Sequence, residues 1–159
     1  KKEILQTPLS HRQRSPPKNL PSSMTSVFDR LPDIITIFTG TNDIISGAKP
    51  ARFEQNIGTM LNHLSSIEGV LIFIGDIPKL TELPRFKETP DPDVTIERVA
   101  QFNSIIHRQA DQYNVHIIYL SNEEPNDSFV SSDGLHPNNS GYERMADLFF
   151  EQILPLLPR

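Results

Sequence analysis

Two short polar clusters in this chain hold the residue types that acyl transfer needs. Ser132-Asp133-Gly134-Leu135-His136-Pro137 sets an Asp three residues ahead of a His, with a Gly between them. On a tight loop such a carboxylate can fold back to accept the imidazole Nδ1–H. That bond fixes the tautomer and leaves Nε2 as a general base. Pro137 stiffens the exit, and Asn138 to Ser140 offer a helix N-cap. The second cluster is Gly40-Thr41-Asn42-Asp43. An Asn at a strand end can aim an uncharged N–H donor to where negative charge develops on a carbonyl oxygen. Gly40 lets the backbone turn closely there. Taken singly, each cluster has a plainer use, Asn42 and Asp43 as caps of a turn and His136 as an exposed turn residue. Taken together they supply a base, its orienter and an oxyanion donor.

These groups must be positioned by the elements before them. Ile34-Ile35-Thr36-Ile37-Phe38 reads as a buried strand ending at Gly40. Phe53, Ile57, Met60, Leu61, Leu64 and Ile67 recur at helical spacing from Pro50, with Gly69 beyond the end. Val70 to Ile74 reads as a second buried strand closed by Gly75, and 76–93 as proline-rich loop able to lie over a pocket. Ile96, Val99, Ala100, Ile106, Ala110 and Tyr113 mark a second long helix, and Val115 to Leu120 a third strand. The last helix runs from about Ser140 to Leu154, burying Tyr142, Met145, Ala146, Phe149 and Ile153. Strands alternating with helices imply right-handed crossovers and a parallel sheet covered on both faces, an α/β fold. Its strands' carboxyl ends gather active groups, and both clusters fall at such ends. Residues 1–33, with five prolines, read as an irregular segment holding one short helix near Glu3–Leu9, and 34–159 as the α/β domain.

Composition narrows the chemistry. The 159 residues carry a net charge of −5, so no global field favours nucleic acid, and the basic stretch His11 to Lys18 is broken by Ser15, Pro16 and Pro17. With no cysteine, thiolate chemistry, disulfides and Cys-ligated zinc are excluded. No apolar run approaches the roughly 20 residues that cross a bilayer. His63 and His107 read as partly exposed helix residues without a carboxylate or second His at metal spacing, and His116 as structural. Asp91 and Asp93 read as loop and cap residues. Among the serines near the clusters, Ser46 and Ser131 read as turn residues rather than substitute nucleophiles.

Three stretches carry a resemblance to the SGNH/GDSL hydrolases. Pro32-Asp33-Ile34-Ile35-Thr36-Ile37-Phe38-Thr39-Gly40-Thr41-Asn42-Asp43 resembles that family's PDxVxxxxGxND block. Asp133-Gly134-Leu135-His136-Pro137-Asn138-Asn139-Ser140-Gly141-Tyr142 resembles its DGxHPxxxGY block. Gly75-Asp76-Ile77-Pro78-Lys79-Leu80-Thr81-Glu82-Leu83-Pro84 is similar to a GxxPDLTxLP loop of some bacterial members, with Lys79 in place of Asp, and Asn103 matches a helical Asn common in that stretch. The resemblance implies a flavodoxin-like three-layer α/β/α sandwich and hydrolysis of small-molecule or lipid carboxylic esters without metal or cofactor. It implies His136 as base, Asp133 as orienter and Asn42 as oxyanion donor, with Gly40 supporting the turn. A secreted or periplasmic setting is also compatible with it.

The family's nucleophile sits in a Gly-Asp-Ser string, and the nearest string here is Gly75-Asp76-Ile77. Its second block supplies a Gly whose N–H completes the oxyanion hole. Aligning Glu3 to Arg12 with the segment after that Gly puts Lys2 in its place, and a rival alignment puts Ser23 there, ahead of Met24-Thr25. The first alignment places the nucleophilic Ser upstream of Lys1. The sheet would then lack two strands of a 2-1-3-4-5 order and leave Ile34–Phe38 as an apolar edge. The alternative is a non-catalytic SGNH-like module that binds a ligand and has lost its serine.

Overall fold

The β-branched run Ile34–Phe38 forms β1, and it pairs in parallel with β2, Leu71–Gly75, in the register Ile34↔Leu71 to Phe38↔Gly75. The computed structural model describes residues 32–157; the expected helix near Glu3–Leu9 and the segment 1–31 lie outside them. Strand β3 is His116–Ile118, parallel to β2 through Phe73↔His116 and Gly75↔Ile118, so the described sheet has the order β1-β2-β3. A short helix α1, Thr41–Ile45, leaves the end of β1, and α2, Pro50–Ser65, crosses over to β2. After β2 come a 3₁₀ turn at Leu80–Glu82 and a short helix α3, Pro84–Glu88. Helix α4, Ile96–Gln112, leads into β3, and α5, Asn139–Ile153, closes the domain.

The sheet separates two apolar layers. On one face Phe53 and Leu61 of α2 and Phe102 and Ile106 of α4 pack over Ile72 and Ile74. On the other, Leu148 of α5 packs with Phe73, Ile118 and Leu120, with Met145 and Phe149 beside them. Alternate side chains of β2 therefore enter opposite layers, and this is why its sequence is apolar throughout. Pro50 at the first turn of α2 and the Thr95 hydroxyl, which accepts the Arg98 N–H at 3.1 Å, start the two long helices.

Several expectations need correction. β1 is not a fully buried strand: its residues alternate between half-buried and exposed, and Ile34 and Phe38 are 38% and 46% exposed. It lies at an edge of the described sheet, and among the described residues none of its side chains belongs to the α5 layer. For the same reason α5 turns Tyr142 and Ala146 to solvent, and it buries Gly141 and Leu148 instead. On α4, Ile96 and Ala100 are exposed while Phe102, Ile105 and Gln109 take buried places. The 76–93 stretch is not structureless, and β3 is half the expected length because Tyr119 already begins the turn into Leu120–Asn122.

Phe102 is fully buried and stacks on Phe53 with ring centroids 4.7 Å apart. Phe102→Ala is expected to lower stability by about 3–5 kcal/mol; a chemical denaturation midpoint shared with the parent protein would contradict that packing.

Candidate active site

The loop between Val130 and Pro137 is closed by an isolated antiparallel bridge between those two residues. Inside it the Ser131 N–H donates to the His136 carbonyl at 2.8 Å, and the Gly134 N–H to the Ser131 carbonyl at 3.0 Å. This turn folds Asp133 back onto His136. Asp133 Oδ2 lies 2.5 Å from His136 Nδ1 and accepts that ring N–H. Its Oδ1 accepts the Ser131 hydroxyl at 2.8 Å and the N–H groups of Leu135 and His136 at 2.9 Å each. The His136 contact, then the two backbone donors and the Ser131 hydroxyl, hold the Asp133 carboxyl well below the usual carboxylate range. No partner among the described residues takes Nε2 of His136.

Two anchors place this loop. Gly134 has φ +70°, and its carbonyl accepts the Arg85 N–H of α3 at 3.0 Å; a Cβ there would stand 2.7 Å from that nitrogen. Asn138 caps α5 by accepting the Gly141 N–H at 3.0 Å, and its Nδ2 donates to the carbonyls of Ser128 and Val130. The expected N-cap is therefore Asn138.

Asn42 stands at the second position of α1, directly beyond the carboxyl end of β1. The turn into it is made by Gly40 at φ +105°, where a Cβ would lie 2.7 Å from Ile77 Cδ1. Asn42 and His136 line one cavity of about 270 Å³, together with Phe38, Leu120, Phe129 and Met145. The structure thus brings the two sequence clusters, almost a hundred residues apart, to one mostly apolar recess. Glu123, bound by Arg144 Nη2 at 2.8 Å and Nε at 3.1 Å, and Glu124, paired with Lys79, form its polar rim.

Ser131 is committed to Asp133, and the exposed Ser46 hydroxyl donates to the Asp43 carbonyl at 3.3 Å. Lys2 and Ser23, the alternatives for a second oxyanion donor, lie outside the described residues. His63 donates from Nδ1 to the Thr59 carbonyl at 2.7 Å, and His116 stacks on Phe73. Among the described residues no group of three or more His, Asp or Glu is placed to hold a metal ion. His107 reads from the sequence as a helix residue with no carboxylate at metal spacing; the fold sets its Nε2 3.2 Å from Asp76 Oδ2, thirty-one positions away. Asp76 is fully buried, and Ser121 binds it as well. No helical spacing links residues 76 and 107, so local pattern could not pair them; the one signal was a charged residue directly after the apolar run of β2.

Asp133 is exposed to solvent, so its lowered pKa comes from hydrogen bonds, with His136 foremost, rather than from burial. Its contribution to loop stability is complete above the ordinary value of about 3.9. That contribution is lost as pH falls through the lower folded value. In an NMR titration followed at its carboxyl carbon, Asp133 is expected to stay ionised at about pH 3, where a free Asp is mostly protonated. A midpoint at the ordinary value would refute the four-bond arrangement.

A curated multidomain esterase of Ruminococcus flavefaciens is 29% identical over 126 residues, which are 77% of this chain but 16% of that protein. The chain therefore spans about one sixth of that relative's length. The crystal structure of a lipase/acylhydrolase from Enterococcus faecalis matches with a TM-score of 0.67 at 22% identity, covering 85% of this chain and 68% of that one. A GDSL-like lipase from Bacteroides thetaiotaomicron matches with a TM-score of 0.64 at 19% identity, covering 84% and 68%. These two likenesses establish the fold, the parallel-sheet α/β/α architecture of the GDSL hydrolases. A model of the GDSL-like lipase/acylhydrolase family matches residues 10–144, most of the sequence, and the chain belongs to that family.

Proposed function

We infer that this chain carries the base, its orienter and an oxyanion donor of a serine ester hydrolase acting on small-molecule or lipid carboxylic esters. The observation that carries this reading is the cavity shared by His136 and Asn42, with Asp133 bound to the far nitrogen of the imidazole. With Nδ1–H held by Asp133, Nε2 is the nitrogen left to take a proton from an attacking hydroxyl and return it to the leaving alcohol. The developing oxyanion is held by the Asn42 amide. Attack gives an acyl-enzyme, which water activated by the same imidazole then cleaves. Asp133 remains ionised throughout, orienting the ring and stabilising the imidazolium. The apolar lining from Phe38, Leu120, Phe129 and Met145 suits the acyl portion of an ester.

Neither Ser131 nor Ser46 is assigned as nucleophile, since each already donates its hydroxyl elsewhere. In the main reading the serine comes from a Gly-Asp-Ser segment, which is not encoded between Lys1 and Arg159. A second reading, a ligand-binding module that keeps the Asp–His pair without catalysing hydrolysis, rests on the mostly apolar cavity itself.

Esterase assays and a fluorophosphonate probe separate the two. Where p-nitrophenyl butyrate is hydrolysed, His136→Ala is expected to lower kcat by about 10²–10⁴-fold, and Asn42→Ala by about 10²–10³-fold. Near-full activity in His136→Ala would remove the base assignment. Intact mass after probe treatment is expected to show no stoichiometric adduct on Ser46 or Ser131; an adduct on either would relocate the nucleophile. Folded protein that hydrolyses no ester and takes no probe, yet binds carboxylates at the cavity, favours the ligand-binding module.

A further inference from the structure

Asp76 is a fully buried acidic residue that the proposed chemistry does not use. It directly follows β2, and its N–H donates to the Ile118 carbonyl at 3.0 Å, carrying the β2–β3 ladder one step further. Oδ1 accepts the Ser121 N–H at 2.8 Å, while Oδ2 accepts the Ser121 hydroxyl at 2.6 Å and faces His107 Nε2 at 3.2 Å. One residue on, the Asn103 side chain takes both the N–H and the carbonyl of Ile77, at 2.7 and 2.8 Å. Asn103 and His107 are four positions apart, on one face of α4. That face therefore grips the exit of β2, and Asp76 ties the exit of β3 to it.

A buried carboxylate is unfavourable unless its lone pairs are taken, and an apolar side chain often serves stability as well. What Asp76 adds is geometric. Ser121 belongs to the turn Leu120–Asn122, from which the chain runs on through Glu123, Glu124, Pro125 and Asn126. Leu120 and the residues from Glu123 to Asn126 line the cavity that also holds His136. The far part of this wall is held by Arg144 and Lys79, and its start hangs on the Asp76 carboxylate. The Asp133–His136 loop, by contrast, is held by its own hydrogen bonds and by Arg85.

We propose that Asp76 is a positioning residue that fixes the 120–126 wall of the cavity, setting how tightly an ester or its carboxylate binds without disturbing the Asp133–His136 pair. The binding part rests on the cavity being the ester site; the wall part does not.

The test uses Asp76→Asn and Ser121→Ala in the whole chain. In Asp76→Asn, amides of Ser121 to Asn126 are expected to exchange about tenfold faster, while those of α2 and α4 keep their protection. The dissociation constant for hexanoate, followed by amide shifts at Asn42 and His136, is expected to rise about tenfold. The low-field proton on His136 Nδ1 stays unchanged. Where hydrolysis is measurable, KM rises and kcat does not. Ser121→Ala keeps the backbone bond to Oδ1 and is expected to give the same changes in smaller measure. Unchanged exchange across 120–126 overturns the proposal, and so does a loss of protection throughout α2 and α4 in both variants, which would make Asp76 a residue of the fold alone. Parent protein that shows no hexanoate shifts sinks the ester-site reading instead, and the exchange result still judges the wall.

Discussion

Parallel strands joined by covering helices must all leave a sheet on the same side, and that constraint governs where chemistry can occur in this chain. β1 ends at Phe38, two residues before Gly40, and β2 ends at Gly75; the two glycines lie within two residues of Asn42 and Asp76. β3 ends before Ser121, and the polypeptide then needs only one surface excursion to bring His136 back over the same edge. The helices on the two faces have a correspondingly simple duty. They hold three strand ends in register while the polar groups beyond those ends arrange themselves against one another.

Two aspartates on that edge illustrate how environment divides labour. Asp133 is open to water and accepts four hydrogen bonds, all from donors two or three residues away. Asp76 is sealed from water and accepts three contacts, all from residues distant in sequence. The first orients an imidazole, and the second joins separate elements. An exposed carboxylate needs donors only to be aimed; a buried one needs them to be tolerated at all.

That difference also decides what could be read from the amino-acid sequence. The Asp133–His136 pair was legible because its geometry is local, set by a Gly between the two and a helix cap after them. β2 and the two long helices were legible from periodicity, since both faces of the strand and one face of each helix are buried. Periodicity alone reads β1 as buried, because an apolar strand looks the same wherever it sits in a sheet; the family alignment leaves it as an apolar edge. Tyr142 and Ala146 on α5 misled for the same reason, as a helix covering only part of a sheet buries a narrower stripe than its apolar residues suggest. The Asp76–Ser121–His107 cluster was illegible because its members meet only after β2, β3 and α4 have packed.

The bridge between Val130 and Pro137 has a kinetic meaning. A loop closed over so few residues costs little chain entropy to form, and the hydrogen bonds that join Asp133 to His136 need no distant partner. The Asp–His pair can therefore come together on the timescale of a hairpin, early and repeatedly, in a chain whose sheet is still incomplete. Asn42 has no such independence, because Gly40 is pressed by Ile77, and Ile77 is seated by a helix that begins almost twenty residues later. The Asp133–His136 contact thus depends on local geometry alone, whereas the setting of Asn42 depends on α4 being docked on the sheet.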